Sequence, residues 1–259
     1  MIWDAHCHLA DPRWDGLQAW RRAREAGVTH FLQGGVDPQD WQRQSLLPAG
    51  CYASFGLHPW RVHDWTDEEL QAAFARLTAL VAHAAAIGET GLDLAPRFAS
   101  SRERQLFWLD RHLHLAAECG KPLILHVVRG HEPVLQALRR CQSAGQRPLS
   151  GLVHAFHASP AVARAYRKLG FLLSFGSSLL GAEQSSLAGA VAETGLLGIV
   201  VESDAPDRPP RGERGHWNEP TTIFAVARAV ARIANCQEED VLKTSAQNLC
   251  RLLELPHES

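Results

Sequence analysis

The stretch Met1-Ile-Trp-Asp-Ala-His-Cys-His-Leu9 decides how this chain is read. Residues 2–5 form a short apolar run broken only by Asp4, which predicts a first β-strand. Side chains two apart on a strand share a side. His6 and His8, at the strand's C-terminal end, therefore aim at one point while Cys7 turns away. Neutral imidazole is the commonest protein metal ligand, so two of them on one strand end make half of a metal site. An isolated His-x-His equally fits a pair of surface or core histidines, and the rest of the chain has to decide.

Working outward, apolar strands and helical stretches alternate. Strands are expected over 29–33, 51–55, 84–88, 122–126, 151–154, 171–175 and 198–202. Helical spacing over 14–26 stops at Gly27, and a second helix carries Trp41. Thr66 and Glu69 form a capping box that opens a helix running to about His83. Further helices are expected over 101–119, 132–141 and 161–169, then from Asn218 and from Glu238. Eight short strands without polar alternation, interleaved with helical stretches, predict an α/β fold of the (β/α)8 TIM-barrel type with a buried parallel sheet. No linker or composition break divides residues 1–259, so one hydrolase-sized barrel domain is the expectation.

Composition narrows the classes. With 46% hydrophobic and 21% charged residues the chain has material for a sizeable core. A net charge of -2 gives no global attraction to polyanions, so nucleic-acid binding would need a local patch. Six scattered cysteines without a CxxC pair fit reduced thiols rather than a disulfide framework or a zinc finger. No leader or membrane span is evident, so the expected location is cytoplasmic and no membrane partner is expected. Fourteen histidines permit a histidine-rich site without locating one.

The ends of the predicted strands locate it. Strand one ends in His6 and His8, strand four in Glu89, strand five in His126, strand six in His154 and strand eight in Asp204. Taken singly, His126 fits a satisfied core histidine, Asp204 a turn cap and Glu89 a partner for an arginine. Coincidence does not explain why all six fall at strand ends, the face where barrel enzymes build their active sites. Four histidines and two carboxylates are the makeup of a two-metal site, with Glu89 bridging, His6, His8 and Asp204 on one ion, and His126 and His154 on the other.

Seven motifs carry a family resemblance: Asp4-Ala-His-Cys-His-Leu9, Gly56-Leu-His-Pro59, Gly88-Glu-Thr-Gly-Leu-Asp93, Leu123-Ile-Leu-His126, His154-Ala-Phe156, Glu202-Ser-Asp-Ala-Pro206 and Asn218-Glu-Pro220. Together they make the chain similar to the TatD family of metal-dependent deoxyribonucleases, within the wider amidohydrolase-like barrels. The resemblance implies the same six metal ligands, a glutamate where the wider superfamily often has a modified lysine, and activity with magnesium. The chain departs from the family pattern at Leu94, Val127-Val128, Ala158 and Trp217. These positions surround the ligands, none is a ligand, and they bear on the substrate.

Segment 207–217 follows Asp204 and contains Arg208, Arg211 and Arg214, whose planar forks suit phosphate oxygens. A solvated, proline-stiffened loop is the plainer reading. Arg129 follows His126 and is a further candidate for substrate binding. His58 could hydrogen-bond a phosphate or be a satisfied loop histidine. Asn218 reads as an N-cap with Pro220 in the first turn, a role that could be structural alone, and is also carried as a substrate-binding candidate. Trp60, Trp65 and Trp217 lie in rim loops, where tryptophans stack on bases of a single strand or, more commonly, pack under loops.

The expected chemistry is phosphodiester hydrolysis, exonucleolytic on DNA or another phosphate-bearing substrate. A water held between two divalent ions would have its pKa lowered, Asp204 would orient or deprotonate it, and Glu89 would set the spacing. Imidazoles suit zinc, manganese, cobalt or nickel, and magnesium favours oxygen ligands. Alternatives are hydrolysis of a carbonyl ester or amide such as an aminoacyl-tRNA bond, a small-molecule amidohydrolase, and a non-catalytic metal-binding protein.

Overall fold

The computed structural model describes residues 1–143, 147–181, 185–210, 212 and 217–256. Along the chain run β1 (Trp3–Cys7), α1 (Gly16–Glu25), β2 (His30–Gln33), α2 (Pro38–Gln44), β3 (Cys51–Tyr52), β4 (Ser54–Phe55), α3 (Pro59–Asp64) and α4 (Asp67–Leu80). Then come β5 (Ala86–Asp93), α5 (Arg102–Cys119), β6 (Leu123–Val128), α6 (His131–Ser143), β7 (Gly151–Val153), α7 (Pro160–Lys168), β8 (Phe171–Phe175), α8 (Ser186–Thr194), β9 (Ile199–Val201), α9 (Thr222–Ala234) and α10 (Glu238–Leu252). All strand pairs are parallel, in the orders β1-β2-β3 and β4 through β9. The chain is an α/β TIM barrel whose third strand position is split at Ala53 into β3 and β4.

Regular ladders do not complete the ring, and individual hydrogen bonds do so instead. Ser54 Oγ lies 2.6 Å from Gln33 O and 2.9 Å from Gly88 O, across the split. At the other seam His8 N donates to Ala205 O (2.7 Å) and Asp204 N to His6 O (3.0 Å). The buried Asp4 carboxylate adds to that seam, accepting from Ser203 N at 2.9 Å.

The interior follows from strand parity. Trp3, Ala5, Leu32, Ala86, Ile124, Leu152, Leu172 and Val200 fill the lower barrel, and Ala246, Leu249 and Cys250 of α10 close it beneath. The alternate residues, among them Phe31, Ile87, Leu125, Val153 and Leu173, face the helices in a larger outer core. Cys7 belongs to that outer core. The capping box is present, with Thr66 Oγ1 accepting from Glu69 N (3.2 Å) and Thr66 N donating to Glu69 Oε2 (2.8 Å). α3 and α8 are helices that the periodicity left as connections. Among the described residues no helix is long and apolar enough to cross a membrane.

Candidate metal centre

Parity carries the interior face upward into the site. His126 and His154 stand two positions after Ile124 and Leu152, so their rings sit one layer above the lower core. His6 and Glu89 do not follow this simple rule, because Ala5 and Ala86 already point inward. Both strands carry a register irregularity at the needed place, β1 between Asp4 and Cys7 and β5 between Ile87 and Thr90. Such irregularities re-aim a side chain, and here they turn His6 and Glu89 into the barrel, where both are buried.

Glu89 is the centre of the cluster. Its Oε1 lies 3.6 Å from His6 Nε2 and 3.4 Å from His8 Nε2. Its Oε2 lies 2.7 Å from His154 Nε2, 3.4 Å from His126 Nδ1 and 3.8 Å from His58 Nε2. Asp204 joins the first group, with Oδ1 3.8 Å from His6 Nε2 and 3.7 Å from His8 Nε2. Three sets of ligand atoms are close enough to hold an ion: His6, His8 and Asp204; His6, Glu89 and His154; and His58, Glu89 and His126.

The charges respond to this crowding. Burial opposes ionisation of Glu89, yet His154, His6 and His58 hold its carboxyl well below the usual carboxylate range. Burial likewise opposes charge on His6, but Glu89, Glu202 and Asp204 raise it to about 9. Burial pushes His154 down to about 4 despite Glu89. His58 lies well below the ordinary imidazole value, through burial and the neighbouring His126.

Two observations fit these residues to divalent cations. His6 Nε2 and Glu89 Oε1 are buried with no hydrogen-bond partner among the described residues, a costly state for polar atoms unless a ligand satisfies them. Gly34 keeps the space between them open. A Cβ there would sit 2.4 Å from His8 Cε1, 2.6 Å from His6 Cε1 and 2.8 Å from Glu89 Oε1. The neighbours also prepare the ligands. Asp93 Oδ2 stands 3.3 Å from His126 Nε2, and a proton held there leaves the Nδ1 lone pair facing Glu89. Glu202 Oε1 stands 3.9 Å from His154 Nδ1 and accepts from Ala155 N at 2.6 Å. Asp204 itself adopts a left-handed φ of 58°, a strained conformation held by its hydrogen bond to His6 O.

The remaining sequence candidates divide. Arg208 Nε lies 3.2 Å from Asp204 Oδ2, so this arginine reaches the cluster. His58 is closer than a substrate-binding role alone required, touching both Glu89 and His126. Arg129 is exposed just past β6 and makes no ion pair with the cluster among the described residues. Asn218 is buried and spends its side chain on the loop, donating to Ser203 O (2.6 Å) and accepting from Thr222 Oγ1 (2.7 Å). It is not a helix cap, since α9 begins four residues later. Trp65 packs against the core, whereas Trp60 and Trp217 are exposed. Arg211 and Arg214 lie outside the described residues. Asp93, Glu202, Asp4 and Gly34 had no assigned role in the sequence reading, although three of them stand inside motifs it quoted.

A parallel barrel with a His/Glu/Asp cluster at the C-terminal ends of its strands defines the class of metal-dependent hydrolases. Comparison with known proteins makes this specific. The family model described as TatD related DNase matches residues 3–254. The chain is 30% identical over 264 residues to the metal-dependent hydrolase YjjV of Escherichia coli strain K12, covering 98% of each. It superposes on the crystal structure of that TatD homologue with a TM-score of 0.86, at 27% identity and 98% coverage of both chains. It is 27% identical over 264 residues to human deoxyribonuclease TATDN3, covering 96% of this chain and 93% of the relative. It is 29% identical over 255 residues to the 3'-5' ssDNA/RNA exonuclease TatD of Erwinia billingiae, covering 93% and 94%. The chain belongs to the TatD family of metal-dependent hydrolases, enzymes acting on ester bonds.

Proposed function

We propose that this chain is a deoxyribonuclease that removes nucleotides from a strand end with the help of two divalent cations, magnesium, manganese or zinc. One observation carries the reading: the two oxygens of Glu89 face separate ligand groups, Oε1 toward His6 and His8 and Oε2 toward His126 and His154. A carboxylate so placed can serve two ions at once. His6, His8 and Asp204 would hold one, His126 and His154 the other. Bound divalent ions supply Lewis acidity, lowering the pKa of water and neutralising charge on phosphate oxygens.

The protein groups do the rest. Asp204 takes the proton of the attacking water, since its carboxylate lies beside both His6 and His8 at the open end of the barrel. Arg208, against Asp204, offers its guanidinium to a phosphate oxygen of the strand. His58 is placed to donate a hydrogen bond to the scissile phosphate from the Glu89 Oε2 side. The names of the human and Erwinia relatives, a deoxyribonuclease and a 3'-5' exonuclease, support a nucleic-acid substrate and attack from an end.

The test is metal-reconstituted protein incubated with end-labelled single- and double-stranded DNA, with RNA and aminoacyl-tRNA alongside. Stepwise release of nucleotides from DNA is expected. Asp204→Asn should abolish it while leaving the melting temperature nearly unchanged. Turnover of aminoacyl-tRNA with no DNA product would replace the phosphodiesterase by a carbonyl-ester hydrolase.

A further inference from the structure

Beside the metal centre stands an exposed indole whose position is fixed from below. Trp60 is 43% exposed, although it opens α3 only two residues after the buried His58. Its Nε1–H donates to Asp93 Oδ2 at 2.8 Å, and that same oxygen lies 3.3 Å from His126 Nε2. The ring stacks on buried Phe98, with centroids 5.5 Å apart and planes 15° from parallel. Its centroid is 6.3 Å from that of His126. The Arg97 guanidinium lies 5.0 Å from the Phe98 ring and has no carboxylate partner among the described residues.

Exposure alone says little of a tryptophan, because single exposed apolar side chains are ordinary on a protein surface. This one is held by a carboxylate below and an aromatic ring behind, so its open surface is rigid. A rigid π-surface 6.3 Å from a candidate metal ligand, stacked on a phenyl ring that itself carries the Arg97 cation, matches the chemistry of a base attached to a phosphate. Trp65, just past the end of α3, is instead packed against the core.

We propose that Trp60 is the platform on which a base of single-stranded DNA stacks while the neighbouring phosphate sits at the Glu89 cluster. This rests on the phosphodiesterase reading above and adds where the strand is gripped. Asp93 is then the positioning residue, because one of its oxygens holds both the platform and His126. Stacking recognises any base, so the site selects unpaired strands rather than a sequence.

The experiment compares a single-stranded oligonucleotide with the same strand carrying abasic residues at its 3' end. Binding is read by fluorescence anisotropy in EDTA, and turnover is read with metal restored. Wild-type protein is expected to bind the intact strand roughly 5- to 100-fold more tightly than the abasic one. In Trp60→Leu, which keeps apolar cover over Phe98, the ratio should approach one. In Trp60→Phe, which keeps a ring but loses the N–H, most of the preference should survive. Equal ratios in wild type and Trp60→Leu would overturn the platform. Failure of the underlying reading is distinct: wild type would then discriminate abasic strands in EDTA yet cleave neither when metal is added.

Discussion

Glu89 Oε2 lies 2.7 Å from His154 Nε2, while the other oxygen of the same carboxylate is 3.4 Å from His8 Nε2. The strand that carries Glu89 must break its register between Ile87 and Thr90 to allow this. If both oxygens hold cations, Glu89→Ala should lower metal stoichiometry from about two to one or below, because His126 and His154 alone are a poor pair. kcat should fall by about 100-fold or more. Isothermal titration with manganese, paired with turnover, reads both. Full activity of wild type with a single ion at saturation would make this a one-metal hydrolase.

Gly34 gives an independent probe that alters no ligand residue. The methyl group of Gly34→Ala would stand well inside contact distance of His6, His8 and Glu89 Oε1. Backbone on both sides is fixed by β2 and the seam at Ser54, so the side chains must give way. Metal affinity is expected to drop about 10–100-fold with circular dichroism unchanged. Unaltered affinity would mean that ions do not sit between these three groups.

How much of this arrangement the sequence discloses depends on which rule places each residue. His126 and His154 are legible because a regular strand carries the parity of Ile124 and Leu152 straight up into the site. Asp204 is legible as the residue past the last strand, and His6 and His8 as a strand-end pair. Glu89 is legible as a strand-end carboxylate, but its inward turn depends on a register break that no local pattern announces. Glu202 is the opposite case: it stands two after Val200, so parity alone puts it inside, and His154 Nδ1 3.9 Å away supplies the context. Asn218 misleads because Asn-x-Pro looks like a helix start, whereas its amide is consumed by Ser203 O and Arg208 O. α8 is missed because its run of Ser, Leu, Ala, Gly and Val carries a single charged residue, Glu193, near its end and so shows little amphipathic contrast.

Arg208 separates phosphate binding from loop structure. Its Nε contacts Asp204 Oδ2, and the Arg208 side chain is 43% exposed, so part of the fork faces solvent. Arg208→Ala should raise KM for DNA with a smaller effect on kcat, and the slope of log affinity against log salt should shrink by about one. Salt slopes equal in both proteins would leave the pair as a structural contact.

The last prediction concerns stability away from the metal centre. His112 is buried in the middle of α5, with Nδ1 2.6 Å from Trp108 O and Nε2 accepting from Leu57 N at 3.1 Å. Nδ1–H donates to the carbonyl, so Nε2 must keep its lone pair for Leu57, and the folded protein requires the neutral ring. Burial accordingly pushes His112 from 6.5 down to about 4. Between those values the unfolded chain binds a proton that the folded chain refuses. The stability His112 contributes is therefore complete above pH 6.5 and is lost as pH falls toward 4. At pH 4.5 the loss is roughly 2–3 kcal/mol relative to pH 7. Urea unfolding at both pH values checks it, with His112→Gln as the reference, since an amide can serve Leu57 N without titrating. The variant should lose roughly 2–3 kcal/mol less on acidification than wild type. Equal losses would show that His112 is not what makes the fold sensitive to acid.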